Sequence, residues 1–216
     1  MMKRSLVVVL ALLGLGALAG FYVLHKPAGH EAGQRLAALR QTLHTINGSE
    51  PVRLPLLVDT DGEVFAPRRL QQRWSVLFFG FASCGDVCPT TLQALGSVAS
   101  DPASGVAAAA TQILFVSIDP TRDTQHRLKA YLTHFSEHIV GLSGSAEATL
   151  RFSHDVGAAY AASGSGIDHS TSLFVLDPQG RVAAALLRPD DPARILADLK
   201  SVQASYVQGR HATLSR

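Results

Sequence analysis

An apolar run followed by two cysteines is the feature that most constrains how this chain can fold. Residues 76–81 read Val-Leu-Phe-Phe-Gly-Phe, a run typical of a strand that is buried on both faces of a sheet. Cys84 and Cys88, the only cysteines of the chain, follow directly. Pro89 then fits the first turn of a helix, where its missing N–H needs no partner. The stretch therefore predicts a central strand, a loop, a cysteine pair and a helix.

The placement of the two cysteines has chemical consequences. Unpaired N–H groups and the positive end of a helix dipole favour a thiolate, so the pKa of Cys88, and with it that of Cys84, is expected to be lowered. A separation of four residues puts both sulfurs on one side of a helical turn, where they can share a soft metal ion or close a disulfide. The alternative is a pair of buried structural cysteines. The loop-to-helix junction favours the reactive pair.

A second buried strand is predicted at residues 112–118, with a helix at 125–135 after it. Together with the first strand and helix this forms a βαβ unit, so the two strands are expected to be parallel and their following loops to share one edge. Asp119 and Asp123 lie in the second of these loops. Either carboxylate can orient a ligand or bond the cysteine loop, but either can also cap the helix, and capping is favoured for Asp123.

The remaining segments complete a predicted α/β fold. Turn signals separate apolar segments near residues 59–62 and 177–180, which predicts two hairpins. The order of the elements predicts a thioredoxin-like fold, with a mixed central sheet and helices on both faces. The other expected elements are a strand at 138–142, a helix at 145–160, a flexible loop at 161–166 and a helix at 190–207.

Three short motifs in sequence resemble the Sco/SenC family, thioredoxin-fold proteins that deliver copper to the dinuclear copper centre of cytochrome c oxidase. Their order and spacing match across residues 54–187. Gly85 and Gln125 stand where the family usually has proline, and the first departure bears on loop stiffness and redox potential. The motifs are Phe-Phe-Gly-Phe with Cys84 and Asp-Val-Cys-Pro at 86–89, Ser-Ile-Asp-Pro-Thr-Arg-Asp-Thr at 117–124, and Asp-His-Ser-Thr at 168–171.

The resemblance implies that Cys84, Cys88 and His169 bind copper as Cu(I) or Cu(II), with the cysteines also forming a redox pair. Asp119 and Asp123 are candidates for holding these ligands in place. Two thiolates and one imidazole form a soft donor set that suits Cu(I). Zinc accepts the same ligands, but its structural sites usually have four protein ligands. For His169 the alternative is a residue that merely caps the following hairpin.

The N-terminus predicts a membrane segment. Lys3 and Arg4 precede residues 5–24, which carry no charge and are long enough to span a bilayer as a helix. The positive-inside rule then places the rest of the chain outside the cytoplasm, in the periplasm if this is a single-pass protein of a bacterial inner membrane. Ala17-Leu18-Ala19 also fits a signal-peptidase site, but the apolar run continues past it, so an anchor is favoured over cleavage.

These segments give a predicted domain organisation. A leucine stripe at helical spacing predicts a short amphipathic helix over residues 31–46 of a linker. The full division is a membrane anchor or signal segment at 1–26, the linker at 27–52, a thioredoxin-like copper-binding domain at 53–209 and a tail at 210–216.

Composition gives no reason to expect nucleic-acid binding, because the formal net charge is only +2. The eight histidines other than His169 show no ligand spacing to one another.

The leading hypothesis is therefore a membrane-tethered copper chaperone. Its expected partners are cytochrome c oxidase subunit II or another copper-site apoprotein, a copper donor chaperone and a thioredoxin-like reductant. The alternatives are a thiol–disulfide oxidoreductase, which does not need His169, and a redox sensor; a peroxide-reducing enzyme is disfavoured.

Overall fold

The computed structural model describes residues 43–46, 50–85, 87–106, 109–158, 160–163, 166–169, 172–187 and 189–214. The predicted membrane segment at 5–24 lies outside these residues. Within them, no helix has the length and apolar character needed to cross a bilayer.

Strands and α-helices alternate in the middle of the described chain, between residues 74 and 156, and strands alone fill residues 160–186. The four helices are α1 (Val87–Ser100), α2 (Gln125–Thr133), α3 (Ala146–Val156) and α4 (Pro192–Leu214). The strands are β1 (Leu43–Thr45), β2 (Val58–Asp59), β3 (Trp74–Gly80), β4 (Thr111–Ser117), β5 (Ile139–Ser143), β6 (Tyr160–Ser163), β7 (Gly166–His169), β8 (Leu173–Leu176) and β9 (Val182–Leu186).

A seven-stranded mixed sheet in the order β1-β9-β8-β3-β4-β5-β2 forms the centre of the fold. Strands β3, β4 and β5 are parallel, and β8 pairs with β3 in the antiparallel direction. The predicted parallel pairing of the first two core strands is therefore confirmed. Gly80 and Ser117 stand opposite one another at the ends of β3 and β4. The cysteine loop and the segment before α2 consequently leave the sheet at the same edge.

The two faces of the sheet carry separate apolar cores, as alternation along β3 requires. Val76 and Phe78 point to the core that is covered by α1, α2 and α4. Leu77 and Phe79 point to the opposite core, which is covered by α3 and by apolar residues of the segment before β3. The predicted mixed sheet with helices on both faces is thus confirmed.

Three expectations about the periphery are corrected. The segment predicted as a flexible loop at 161–166 contributes to the antiparallel hairpin β6–β7, which is separate from the main sheet. The predicted amphipathic helix is wrong at its C-terminal end, where β1 pairs with β9 at the sheet edge. Helix α4 runs through Leu214 and so includes most of the predicted tail. At β1, pairing with a strand that is distant in sequence overrides the local pattern.

Candidate metal centre

The two cysteines lie side by side where β3 passes into α1. Cys84 is half-buried in the loop, and Cys88, the second residue of α1, is fully buried. Both are thiols, and a hydrogen bond links their side chains. The backbone N–H of Cys84 donates to the carbonyl oxygen of Phe81 at 3.2 Å, which closes the loop into a turn. The structure therefore brings the predicted pair together.

Gly80 allows Cys88 to approach the end of β3. A Cβ atom at this position would lie 2.9 Å from the Cys88 Sγ and 2.9 Å from Cε2 of the Phe115 ring. Contacts this short do not occur between real Cβ atoms and their neighbours, so only glycine fits without a shift. The glycine that interrupts the apolar run therefore makes room for the Cys88 sulfur at the site. Sequence analysis missed this role. A glycine at the end of a buried strand was the available signal.

Cys88 is not poised as a thiolate in this state. Burial raises the pKa of its thiol well above the ordinary value, the neighbouring Cys84 and Asp123 add to the rise, and a backbone hydrogen bond with Phe81 offsets part of it. The expectation of a lowered pKa for Cys88 is therefore wrong. The helix N-terminus favours a thiolate, but Cys88 faces the apolar core, where desolvation of a charge outweighs that effect.

Asp123 fastens the cysteine loop to the sheet. Its Oδ2 atom accepts hydrogen bonds from the Ala82 backbone N–H at 3.0 Å and from the Ser117 hydroxyl at 2.7 Å. The carboxyl-bearing residue is buried, with 1% exposure. Thr124, not Asp123, is the N-cap of α2, since its hydroxyl accepts from the backbone N–H of Arg127. The favoured capping role for Asp123 is therefore wrong, and its alternative, bonding the loop, is confirmed.

Asp119 has a different position. Its carboxylate accepts from the guanidinium of Arg122 at 3.4 Å, and its backbone N–H donates to the Ser117 hydroxyl at 3.2 Å. These contacts lie along its own loop and do not reach the cysteines. Asp123 is thus the aspartate that the fold brings to the pair.

His169 ends strand β7, where its backbone pairs with Tyr160 of β6. Its side chain lies outside the part of the chain that the structure describes, so its role as a ligand stays a prediction. Among the described side chains, no three residues of the types that ligate metals come together.

Tyr131 is a further residue at this site that sequence analysis assigned only to the apolar face of its helix. Its ring meets that of Phe115 with centroids 6.4 Å apart, and Phe115 also packs beside the Cys88 sulfur at Gly80. Burial raises the pKa of Tyr131, and negative charge on Cys88, Cys84 or Asp123 would raise it further. The phenol is therefore protonated, and its residue packs against the apolar cluster that contains Cys88. No sequence signal distinguishes such a tyrosine from one whose hydroxyl reaches solvent.

The chain matches known proteins over most of its length. The family model SCO1/SenC matches residues 56–204. An SCO2-like protein of Rickettsia felis is 30% identical over 207 residues, which cover 91% of this chain and 95% of that protein. Yeast Sco1 with copper bound is similar in structure, with a TM-score of 0.65 and 26% identity over 76% of this chain and 94% of that one. The structure of BsSco, which is described as a member of the Sco family of cytochrome c oxidase assembly proteins, has a TM-score of 0.60 and 19% identity over 74% of this chain and 96% of that one. The chain therefore belongs to the SCO1/SenC family.

Proposed function

We propose that this protein binds copper and delivers it to the dinuclear copper centre of cytochrome c oxidase during assembly. The observation that carries the proposal is the contact between the Cys84 and Cys88 side chains at the end of β3. Yeast Sco1, with which this chain shares its fold, has copper bound in its structure. The description of BsSco supports a role in cytochrome c oxidase assembly. We propose Cys84, Cys88 and His169 as the copper ligands.

The chemistry of the cysteine pair fits such a cargo. Two sulfur donors select Cu(I) over harder ions, and each must lose its proton to bind. Cys88 is buried and rigidly placed beside Gly80, so it serves as the fixed ligand. Cys84 is half-buried in the loop, so a ligand from a partner protein can reach metal bound there. Copper then leaves by exchange of ligands rather than by free dissociation.

Anaerobic titration of the reduced protein with Cu(I), against a competing chelator, tests this proposal. The parent is expected to bind one Cu(I) tightly, and Cys84→Ser or Cys88→Ser to abolish that binding. His169→Ala should weaken it at least about tenfold, or about 1.4 kcal/mol. His138→Ala, which removes an exposed histidine, is the matched control and should leave the affinity unchanged. Unchanged binding in His169→Ala would remove His169 from the ligand set.

A thiol–disulfide oxidoreductase is the second candidate, favoured by the difference in exposure between two adjacent thiols. In this reaction the Cys84 thiolate attacks a partner disulfide and releases one partner thiolate. Cys88 then attacks Cys84, which forms the internal disulfide and releases the second partner thiolate. The protein loses two electrons and the partner gains them. His169→Ala separates the candidates, because this exchange should persist in the variant at the parent's rate. The physiological reductant would then be a thioredoxin-like protein.

We further propose that residues 5–24 anchor the chain in a bacterial inner membrane, with the domain at 53–209 in the periplasm beyond the linker. Lys3 and Arg4 support this orientation. In that position the domain faces the subunit II copper site and a periplasmic copper donor. Protease added to intact spheroplasts should degrade the domain while a cytoplasmic marker survives. Protection until lysis would contradict the orientation, and a soluble chain that starts near Gly20 would show cleavage.

A further inference from the structure

An open groove begins beside the cysteine pair and runs along helix α1. It consists of two adjoining depressions of about 420 Å³ each, which share Ser97 of α1 and Pro192 of α4. One wall extends from Pro89 to Asp101, which corresponds to about 18 Å of helix. The first turns of α4 form the other wall, and Phe135 lines the depression at the cysteine end. The groove is therefore long enough to receive a segment of another protein.

The α1 wall is a stripe that starts at the cysteine loop. Its members recur at steps of three and four residues, which places them on one side of the helix: Val87, Thr90, Ala94 and Ser97. Val87 directly precedes Cys88 and is 39% exposed, although its side chain is apolar. Apolar surface that continues from a reactive pair into a groove is typical of an interaction site.

Close packing fixes the shape of the groove. A Cβ atom at Gly96 would lie 2.6 Å from the backbone oxygen of Phe135, so only glycine lets α1 approach the end of α2 this closely. Phe135 and Leu196 line the two depressions and are only half-buried, so both leave apolar surface in water. A partner that covers this surface gains hydrophobic free energy without having to order the groove first.

The charges around the groove favour a protein partner over a membrane surface. Asp190 lines its cysteine end and Asp101 its far end, whereas Lys200 is the single cationic residue in the lining. Among the described residues, Asp190 makes no ion pair. An acidic rim repels anionic lipids and complements a basic side chain. The partner that fits is a protein with an apolar ridge and a basic residue close to its own copper ligands.

We propose that this groove is the docking site for the protein that accepts the copper, and that docking holds the acceptor's ligands beside Cys84. The inference rests on the proposed function. Exchange of ligands requires the acceptor to come within bonding distance of the half-buried Cys84, so its surface covers the neighbouring stripe on α1. Cu(I) keeps its oxidation state; each thiolate that it leaves takes up a proton, and each acceptor thiol that it binds releases one.

Ser97→Trp tests the proposal, because the indole would occupy the point that the two depressions share. Calorimetric titration of the reduced, copper-free protein with the copper-free soluble domain of cytochrome c oxidase subunit II measures docking, and affinity should fall about tenfold or more. Ser205→Trp is the matched control. Both serines are exposed on helices and donate to the carbonyl oxygen four residues earlier, but Ser205 lies beyond the groove, so docking should not change.

Asp190→Lys is a second variant that tests the charge of the groove without filling it. Docking should weaken by about threefold or more, and the loss should be larger at low than at high ionic strength. Asp155→Lys, on the exposed surface of α3 across the sheet, should have no such effect. This pair keeps the test decisive if urea unfolding shows that Ser97→Trp is destabilised.

Transfer from the copper-loaded protein to the same domain separates docking from copper binding. Ser97→Trp should bind Cu(I) as tightly as the parent but transfer it about tenfold more slowly at low acceptor concentration. Docking and transfer within twofold of the parent in both groove variants would overturn the proposal and leave the proposed function intact. Self-association or binding to anionic vesicles that only the groove variants lose would also overturn it, because the groove would then serve another partner.

Failure of the proposed function gives a different result. A parent that docks the domain but transfers no copper would contradict delivery, and the docking affinities of the two variants would then decide the role of the groove. A parent that neither docks nor transfers would overturn both.

Discussion

The two ends of β3 use buried polar groups in opposite ways. At the N-terminal end, the Gln112 amide donates to the Ser75 hydroxyl at 2.8 Å and to the Arg69 carbonyl oxygen at 2.6 Å. At the C-terminal end, the buried Cys88 and the partly buried Tyr131 pack in one apolar cluster, and the buried Tyr131 hydroxyl has no hydrogen-bond partner among the described residues.

This difference separates stability from function within one strand. The polar groups at the N-terminal end of β3 hydrogen-bond to one another, so they need no partner from outside the folded chain. The C-terminal groups carry hydrogen-bonding and ligand capacity that the reduced, copper-free protein does not use. Sites that act on another species commonly retain such capacity at a cost in stability. Three substitutions test how far this comparison holds, and a fourth, on α4, tests the cost of a buried polar group away from β3.

The largest effect is expected for Asp123→Ala. It leaves the Ser117 hydroxyl and the Ala82 N–H without their carboxylate partner, so the free energy of unfolding should fall by about 2–4 kcal/mol. Urea denaturation of the reduced protein measures this. Asp119→Ala is the matched control, because that carboxylate pairs with an exposed Arg122 side chain and is expected to contribute less than about 1 kcal/mol. Equal losses in both variants would contradict the special role of Asp123.

Gly80→Ala should destabilise the same end by about 1–3 kcal/mol through overpacking. The added methyl group meets the Cys88 sulfur and the Phe115 ring, and neither can move without disturbing the core. Copper affinity should fall as well, since the fixed sulfur is displaced. Gly85→Ala is the control: nothing lies within 4 Å of the added atom, so thermal unfolding should be nearly unchanged. A neutral Gly80→Ala would show that the cysteine end is loosely packed.

Gln112→Leu tests the other end of the strand. Loss of its two hydrogen bonds leaves the Ser75 hydroxyl and the Arg69 carbonyl oxygen unpaired, so stability should fall by about 1–2 kcal/mol. Cu(I) affinity should remain that of the parent, because the cysteines lie at the opposite end. Gln93→Leu, on the exposed face of α1, should change neither quantity. Weakened copper binding in Gln112→Leu would show that the two ends of β3 do not act independently.

The smallest effect is expected for Asp198→Asn, on α4. Burial raises the pKa of Asp198 above its ordinary value of 3.8, and Arg194 only partly compensates. A raised pKa means that ionisation of Asp198 destabilises the folded state. The stability that the protonated carboxyl group contributes is fully present below about pH 3.8 and is lost as the pH rises through the folded-state pKa. At pH 7 the variant should therefore be more stable than the parent, by less than about 1 kcal/mol.

Urea unfolding of the Asp198→Asn variant and the parent at several pH values checks this. The advantage of the variant should shrink as the pH falls. Asp155→Asn, on the exposed surface of α3, should show no such trend. An advantage that grows in acid would reverse the sign and contradict the interpretation.

Much of the main sheet could be predicted because its signals are local. The apolar runs of β3 and β4 and the turn before β9, with Gly180 at a φ of +77°, are each visible within a few residues. Strands β1 and β6 were missed because short strands at an edge or in a separate hairpin depend on their partners more than on their own residues. The same holds for Asp123, whose partner Ala82 lies 41 residues away.

The sequence by itself determined the family, the order of the core strands and helices, and the placement of two cysteines at a strand-to-helix junction. These features could be predicted because motif order and hydrophobic period are properties of neighbouring residues. Only the tertiary structure decided how deeply each cysteine is buried and in which direction the pKa of Cys88 shifts. Burial in the apolar core raises the pKa of Cys88 where the helix terminus alone predicts the reverse. Desolvation depends on everything that packs around an atom, and that information is spread over the whole chain.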